Sequence, residues 1–259
     1  MDMTRVKTIA KVFILVSLGL FLASRLWNGS LSFYIHPRFN MLTAVTAVGL
    51  IIVGVVYAQQ HRKTIIHGEE VHDHDHHQHD HDHDHDHNIT WIGLTILAIP
   101  VILGLIVQPR PLGANALENR EINLGSLTSA QAPDSSQLAL IDTGGERNIL
   151  DWLYLFQRSS NPADFNGEAV NVIGFVYQDD RFGAAEFMVS RFTVSCCVAD
   201  AAPVGLIVRW PETAELTPDT WVEVQGTLQA GEFNGQQMAI LVADQVTITE
   251  TPAQPYLYQ

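Results

Sequence analysis

Three long apolar runs in the first 107 residues constrain the fold of this chain more than any other feature. They occupy about residues 9–26, 41–58 and 89–107, and none of them contains Asp, Glu or His. A helix needs about 20 apolar residues to cross the hydrocarbon core of a bilayer. The sequence therefore predicts a membrane protein whose N-terminal region, residues 1–110, contains three transmembrane helices.

The first apolar run also has the pattern of a secretory signal peptide, because basic residues precede it. A signal peptide followed by two spans is therefore the alternative to three spans. The run ends in Ser24-Arg25-Leu26-Trp27, with bulky side chains where a signal peptidase requires small ones. This ending favours a helix that is retained.

The Lys and Arg residues beside the runs predict the orientation, because basic residues are more frequent in cytoplasmic loops. One side of the membrane would hold Arg5, Lys7, Lys11, Arg62 and Lys63. The other side would hold Arg25, Arg38 and Arg110. We therefore expect a multi-pass protein of a plasma membrane, with the N-terminus and the loop between the second and third runs in the cytoplasm and the C-terminal domain outside.

A loop at residues 59–88, between the second and third runs, is rich in histidine and aspartate. It has no apolar side chain after Val71, so it cannot form a packed core. The nine histidines and six aspartates between His72 and His87 are candidate metal ligands. They are His72, His74, His76, His77, His79, His81, His83, His85, His87, Asp73, Asp75, Asp80, Asp82, Asp84 and Asp86.

This His/Asp loop offers many overlapping ligand sets for zinc, copper, nickel or cobalt. Such weak, exchangeable sites suit capture, buffering or sensing of a metal. Zinc is the first candidate, because cellular zinc transporters often carry loops of this kind. The alternatives are a solvated, pH-responsive linker and, less in keeping with an internal position, an expression tag.

The remainder of the chain predicts a mainly-β domain at residues 138–259, after a polar linker at 111–137. Ile149, Trp152 and Phe156 have the spacing of a buried helix face. Short runs rich in Val, Ile, Phe and Thr predict five strands, at 170–178, 186–194, 204–210, 220–229 and 237–249. We expect a small OB-like barrel with one or two helices.

The charge of this domain excludes one class of partner. Residues 108–259 carry 19 acidic and 7 basic side chains. So acidic a surface repels a phosphate backbone, and we expect no nucleic-acid partner despite the barrel.

Two adjacent cysteines, Cys196 and Cys197, stand where the second predicted strand ends, and Asp200 follows them. The thiols could bind a soft metal, form a strained disulfide or pack as small apolar groups. Ligation by both thiols requires a turn at this point. Residues 108–259 contain no histidine, so a complete zinc site there would need carboxylates or groups from a partner.

The segment from Arg191 to Gly205 resembles the Cys-Cys-x-Ala-Asp segment of the YcgQ-like family, and the order of spans, His-rich loop and strand-rich domain matches as well. Members are bacterial membrane proteins that are described as subunits of two-component permease complexes, so the resemblance implies the plasma membrane of a bacterium. The resemblance implies a multi-spanning permease of the YcgR type as partner, alongside membrane lipid. It implies no enzymatic activity and supplies no substrate.

We therefore predict an accessory subunit of a permease complex, linked through the His/Asp loop to transport or homeostasis of a divalent transition metal, with Zn²⁺ as the expected cofactor. One alternative is a membrane-anchored extracellular receptor or binding module. Another is a thiol redox sensor that uses Cys196 and Cys197. We do not expect an enzyme, because the sequence has no phosphate-binding Gly-rich loop and no nucleophile elbow.

Overall fold

The protein divides into a helical unit and a barrel unit. The computed structural model describes residues 3–66, 91–118, 147–159 and 161–258. The helical unit comprises Met1–Leu31 and Arg38–Pro109. The barrel unit comprises Ser32–Pro37 and Arg110–Gln259. A short piece of chain between the first two helices therefore belongs to the barrel unit.

Apolar helices build the described part of the helical unit: α1 Met3–Trp27, α2 Asn40–Ile66 and α3 Trp91–Ile106. Two stretches, Val6–Trp27 and Pro37–Gln60, are long and apolar enough to cross a membrane. The third predicted span appears as α3, which has 16 described residues and so a length of about 24 Å. The structure thus confirms two of the three predicted spans by length and composition.

Small residues bring α1 and α2 close together. A Cβ atom on Gly19 would lie 2.7 Å from the Ile51 side chain and 2.9 Å from the carbonyl oxygen of Ala47. Gly54 faces Val16 in the same way, at 2.8 Å. Close approach at glycine is a common way to pack helices in lipid, where burial of apolar surface gives little driving force.

The barrel unit contains a closed barrel of five strands and one added strand. The strands are β1 Ala169–Tyr177, β2 Glu186–Val194, β3 Ala202–Arg209, β4 Trp221–Phe233, β5 Gln236–Ile248 and β6 Tyr256–Tyr258. Their order is β1-β4-β5-β3-β2, and pairing of β1 with β2 closes the barrel. The β3–β5 pair is parallel, and β6 lies parallel to β2. The predicted five-stranded barrel is confirmed.

Two glycines shape the long β4–β5 hairpin. Its turn uses Asn234 and Gly235, both with positive φ (50° and 79°), which suits the twist of a tight hairpin. A register shift lies between Gln225 and Gly226. A Cβ atom on Gly226 would come within 2.1 Å of the Val242 carbonyl oxygen, so only glycine fits at this bend.

Helix α5, Ile149–Arg158, covers one side of the barrel. Asn148 caps its N-terminus by accepting hydrogen bonds from the backbone N–H of Leu150 (2.8 Å) and Asp151 (3.3 Å). Trp152 is buried in the same cluster as barrel residues such as Val189. The helix face predicted from the sequence is therefore a core face.

Three elements differ from the sequence-based expectation. The predicted linker contains helix α4, Ala114–Glu118, whose Leu117 is fully buried among barrel residues. Strand β6 was not predicted, because three residues after two prolines carry no detectable period. The short turns Ser30–Phe33, Pro37–Phe39, Pro162–Phe165, Val198–Asp200 and Thr213–Glu215 are 3-10 helices.

Candidate functional site

The connection between β2 and β3 carries the two cysteines. Strand β2 ends at Val194, and the 3-10 turn Val198–Asp200 begins directly after Cys197. The turn is closed by hydrogen bonds from the N–H of Asp200 to the carbonyl of Cys197 (3.0 Å) and from the N–H of Ala201 to the carbonyl of Val198 (3.3 Å). The turn that ligation by both thiols would require is therefore present.

Asp200 organises this connection. Its carboxylate accepts hydrogen bonds from the backbone N–H groups of Ser195 (3.0 Å), Cys196 (2.7 Å) and Cys197 (3.3 Å). Partial desolvation opposes ionisation of the carboxyl, but the Cys196 thiol and these N–H groups outweigh it and lower the pKa of Asp200. The aspartate is thus ionised and fixed in position at neutral pH.

The two thiols lie side by side. Cys196 Sγ and Cys197 Sγ are 3.6 Å apart, and neither cysteine forms a disulfide. Cys196 is exposed and Cys197 is half-buried. The hydrogen bond from the Cys196 thiol to Asp200, followed by the contact with Cys197, raises the pKa of Cys196 to about 11. Cys196 is therefore protonated at neutral pH, unlike an activated nucleophile.

The structure brings three potential metal ligands together. The ligand atoms of Cys196, Cys197 and Asp200 all lie within 4.8 Å of one another. Elsewhere in the part of the chain that the structure describes, no other group of three such residues meets this criterion. The sequence-based grouping of these residues thus corresponds to a real cluster.

The segment Ser32–Pro37 forms one wall of this cluster. Ile35 makes an isolated antiparallel bridge with Cys197. The N–H of His36 donates to the carbonyl of Cys196 (3.0 Å), and the N–H of Val198 donates to the carbonyl of Tyr34 (2.9 Å). This short stretch from between α1 and α2 is therefore paired, residue by residue, with the cysteine segment.

The C-terminal residues hold the Ser32–Pro37 segment in place. Tyr256 donates its hydroxyl hydrogen to the Phe33 carbonyl (3.2 Å), and Ser32 donates to the Ala253 carbonyl (3.3 Å). The His36 ring lies 4.4 Å from that of Tyr258, measured between centroids. The segment that pairs with the cysteines is therefore itself held by contacts with the C-terminal residues.

Arg191 fixes the chain just before β6. Its guanidinium donates to the carbonyl oxygens of Pro255 (3.0 Å) and Gln254. The same group lies 5.8 Å above the ring of Trp221. Arg191, at the start of the segment that resembles the YcgQ-like family, therefore positions β6 next to the cysteines.

His36 is the residue that sequence reasoning missed. From the sequence, a complete zinc site in the C-terminal domain would need carboxylates or groups from a partner, because residues 108–259 contain no histidine. The barrel unit nevertheless contains His36, because its boundary includes Ser32–Pro37. No periodicity marks this segment, since its pairing partner is far along the chain.

All fifteen metal ligands that the sequence predicts in the His/Asp loop, from His72 to His87, lie outside the residues that the structure describes. Metal binding by this loop therefore stays a prediction from sequence.

A separate small cavity lies where α5 meets β3 and β5. It has a volume of about 160 Å³ and is lined mainly by apolar groups such as Phe156, Leu206 and Met238. Pockets for drug-sized ligands usually measure about 300–1,000 Å³. This cavity therefore gives little support to a receptor for a large solute.

Comparison with known proteins covers both units. The DUF1980 N-terminal domain matches residues 10–123, and the DUF1980 C-terminal domain matches residues 146–259. The cysteine segment lies in the second match.

Two bacterial relatives share part of the sequence. A protein of Streptococcus mutans named "Putative two-component membrane permease complex subunit" is 26% identical over 203 residues, which are 63% of this chain and 72% of that protein. The protein YcgQ (UPF0703) of Bacillus subtilis is 29% identical over 101 residues, 38% of this chain and 35% of that protein. The resemblance to the YcgQ-like family is thereby confirmed.

Proposed function

The chain belongs to the DUF1980 family, and on that premise we propose that it is the accessory subunit of a two-component permease complex in a bacterial membrane. The observation that carries the proposal is the match to the streptococcal protein named as a subunit of a two-component membrane permease complex, which covers 72% of that protein's length. The chain is membrane-associated, as its two long apolar helices indicate. A multi-spanning permease of the YcgR type is the partner we propose.

We place three spans in this subunit, with α3 as the third. The apolar run in the sequence at residues 89–107 approaches the length that a span requires. The five basic residues on the side of the N-terminus, against three on the other side, support a cytoplasmic N-terminus and His/Asp loop. The barrel unit is then extracytoplasmic. The β3–β5 parallel closure of an otherwise antiparallel barrel supports the OB-like interpretation.

An accessory role suits the chemistry of the spans. Ion pathways through a membrane usually contain acidic or histidine side chains, and these three apolar runs have none. Lys11 and Arg25 lie towards the ends of the first run. The permeation route would therefore be supplied by the partner.

We further propose that the complex handles a divalent transition metal, with zinc as the first candidate. The support is the composition of the His/Asp loop, whose neutral imidazoles and carboxylates suit such ions. The loop would collect or sense metal at the cytoplasmic face of the complex.

Copurification tests the proposal. The full-length chain is extracted in mild detergent from a bacterium that encodes it, and bound proteins and metals are measured in the same sample. We expect a multi-spanning permease and zinc. A second preparation carries Asn in place of the nine loop histidines, and the native chain prepared in parallel is its control.

The accessory-subunit role and metal capture by the loop are contradicted by different results. A lower zinc content with retention of the permease in the histidine variant would support the role of the loop. Zinc content unchanged by that variant would contradict metal capture by the loop. Recovery of the native chain without any multi-spanning protein would contradict the accessory-subunit role.

A further inference from the structure

We propose that the barrel unit binds one Zn²⁺ ion through Cys196, Cys197 and Asp200, and that His36 supplies the fourth ligand. This inference goes beyond the proposed function and does not rest on it. It depends on the geometry of the barrel unit, whereas the role of the His/Asp loop depends on another part of the sequence.

The separation of the thiols already suits one tetrahedral ion. Zinc–sulfur bonds of about 2.3 Å at a tetrahedral angle place two sulfur ligands about 3.8 Å apart. Cys196 Sγ and Cys197 Sγ are 3.6 Å apart. Adjacent cysteines in a regular strand would point to opposite faces, so the 3-10 turn after Cys197 is what makes this arrangement possible.

Asp200 is held within reach of an ion bound by the two thiols. The ligand atoms of Cys196, Cys197 and Asp200 all lie within 4.8 Å of one another. Zinc would lie between them and replace the hydrogens of the thiols. Both thiols lose their protons to solvent on binding, no electron is transferred, and two thiolates with one carboxylate more than balance the charge of the ion.

The three backbone N–H groups around Asp200 keep its carboxylate in place in the absence of a metal. They hold the carboxylate beside the thiols through hydrogen bonds of 2.7–3.3 Å. In zinc sites, ligating carboxylates are commonly fixed in this way by hydrogen bonds from neighbouring groups. The ion would therefore meet ligands that are already ordered.

His36 can supply a nitrogen ligand. The antiparallel bridge between Ile35 and Cys197 sets a register in which His36 is opposite Cys196. Cross-strand partners have Cβ atoms about 5 Å apart. The imidazole is not among the three clustered ligands and lies against Tyr258, so ligation requires rotation of its side chain while the backbone pairing stays in place.

Cobalt is a suitable probe because it reports sulfur ligation directly. Tetrahedral Co²⁺ bound to thiolate gives a near-ultraviolet charge-transfer band and strong visible bands. The chain contains only two cysteines, so the His/Asp loop cannot produce the charge-transfer band. The full-length chain is purified in detergent with a phosphine reductant and titrated with Co²⁺, then with Zn²⁺ as competitor.

The titration is run on the native chain and on a full-length variant with Asn in place of the nine loop histidines, which removes competition for cobalt. We expect both to show the charge-transfer band and to lose it when Zn²⁺ is added, and in the histidine variant the band should saturate at one Co²⁺ per chain. Cys196→Ser and Cys197→Ser should each remove most of the band. Absence of the band from both chains, with near-native circular dichroism, would overturn the site.

His36→Ala tests the fourth ligand, with Tyr34→Phe in the same segment as its control. Loss of a supporting group around zinc commonly lowers affinity 10- to 100-fold, so loss of a direct ligand should weaken Co²⁺ binding at least about tenfold. The visible bands should also change, and Tyr34→Phe should leave both properties unchanged. Equal affinity and spectra for His36→Ala and the parent would overturn the assignment of His36.

Discussion

At the scale of single residues, Asp200 decides the chemistry of the cysteine pair. Its carboxylate binds three backbone N–H groups and accepts a hydrogen bond from the Cys196 thiol. The negative charge and the hydrogen bond both favour the protonated thiol. In the metal-free protein, the same residue therefore orders the loop and suppresses thiol reactivity.

Asp200→Asn should make the Cys196 thiol of the metal-free protein more reactive. Removal of the charge lowers the pKa of Cys196 from about 11 towards the ordinary value near 8.5, so more thiolate is present at pH 8. We expect alkylation by iodoacetamide to become roughly tenfold faster or more. The measurement uses a Cys197→Ser background in the presence of a chelator, so that only one thiol reacts.

Asp180→Asn is the control, since Asp180 is an exposed acid elsewhere in the barrel unit. It should leave the alkylation rate unchanged. A rate for Asp200→Asn equal to that of the control would show that Asp200 does not suppress the thiol.

At the scale of elements, bends and close contacts depend on particular glycines. Gly226 permits the bend in β4, where the backbone of β5 approaches closely. Gly19 permits the approach of α1 to α2. The effect of a larger side chain at each position can be compared with the same kind of substitution at a less crowded glycine.

Gly226→Ala should strongly destabilise the barrel. The new methyl group would lie 2.1 Å from the Val242 carbonyl oxygen, and the backbone of a paired strand cannot move aside cheaply. We expect a loss of about 3 kcal/mol or more in the free energy of unfolding. Gly183→Ala, where the nearest atom is the flexible end of Glu186 at 3.4 Å, should change it by less than about 0.5 kcal/mol. Denaturant unfolding followed by circular dichroism compares them, and equal losses would contradict the role of Gly226.

Gly19→Val should weaken the packing of α1 on α2. Its side chain would collide with Ile51 and with the Ala47 carbonyl oxygen, whereas a Cβ atom on Gly49 meets nothing within 4 Å. We expect a lower midpoint of thermal unfolding in detergent for Gly19→Val than for the control Gly49→Val. Indistinguishable midpoints would show that close contact at Gly19 contributes little.

The elements also show what the sequence could predict. The five barrel strands lie at their predicted places because each is long enough to display β-branched and alternating residues. Cys196, Cys197 and Asp200 were grouped correctly because they are neighbours in the chain. Strand β6 and His36 were missed, because their positions depend on pairing between distant segments. Tyr256 and Phe33, for example, are 223 positions apart.

At the scale of the whole molecule, charge differs between the two parts of the sequence. Basic residues flank the apolar runs, whereas residues 108–259 carry 19 acidic and 7 basic side chains. In the proposed orientation the His/Asp loop is cytoplasmic and the cysteine site is extracytoplasmic. The two proposed metal-binding regions would then face opposite sides of the membrane, and the side on which the cysteines lie is the deciding observation.

The two native cysteines make that observation possible with a membrane-impermeant maleimide. Cys196 is exposed, and the chain has no cysteine outside this pair. We expect protoplasts that express the native chain to be labelled without lysis, after a chelator wash that frees the thiols of metal. The matched control carries Arg62→Cys in a Cys196→Ser, Cys197→Ser background. Its single thiol is near the C-terminal end of α2 and should react only after lysis, because the side that holds Arg62 is predicted to be cytoplasmic. Labelling of the native chain only after lysis, with immediate labelling of the control, would reverse the proposed orientation and move the cysteine site to the cytoplasm.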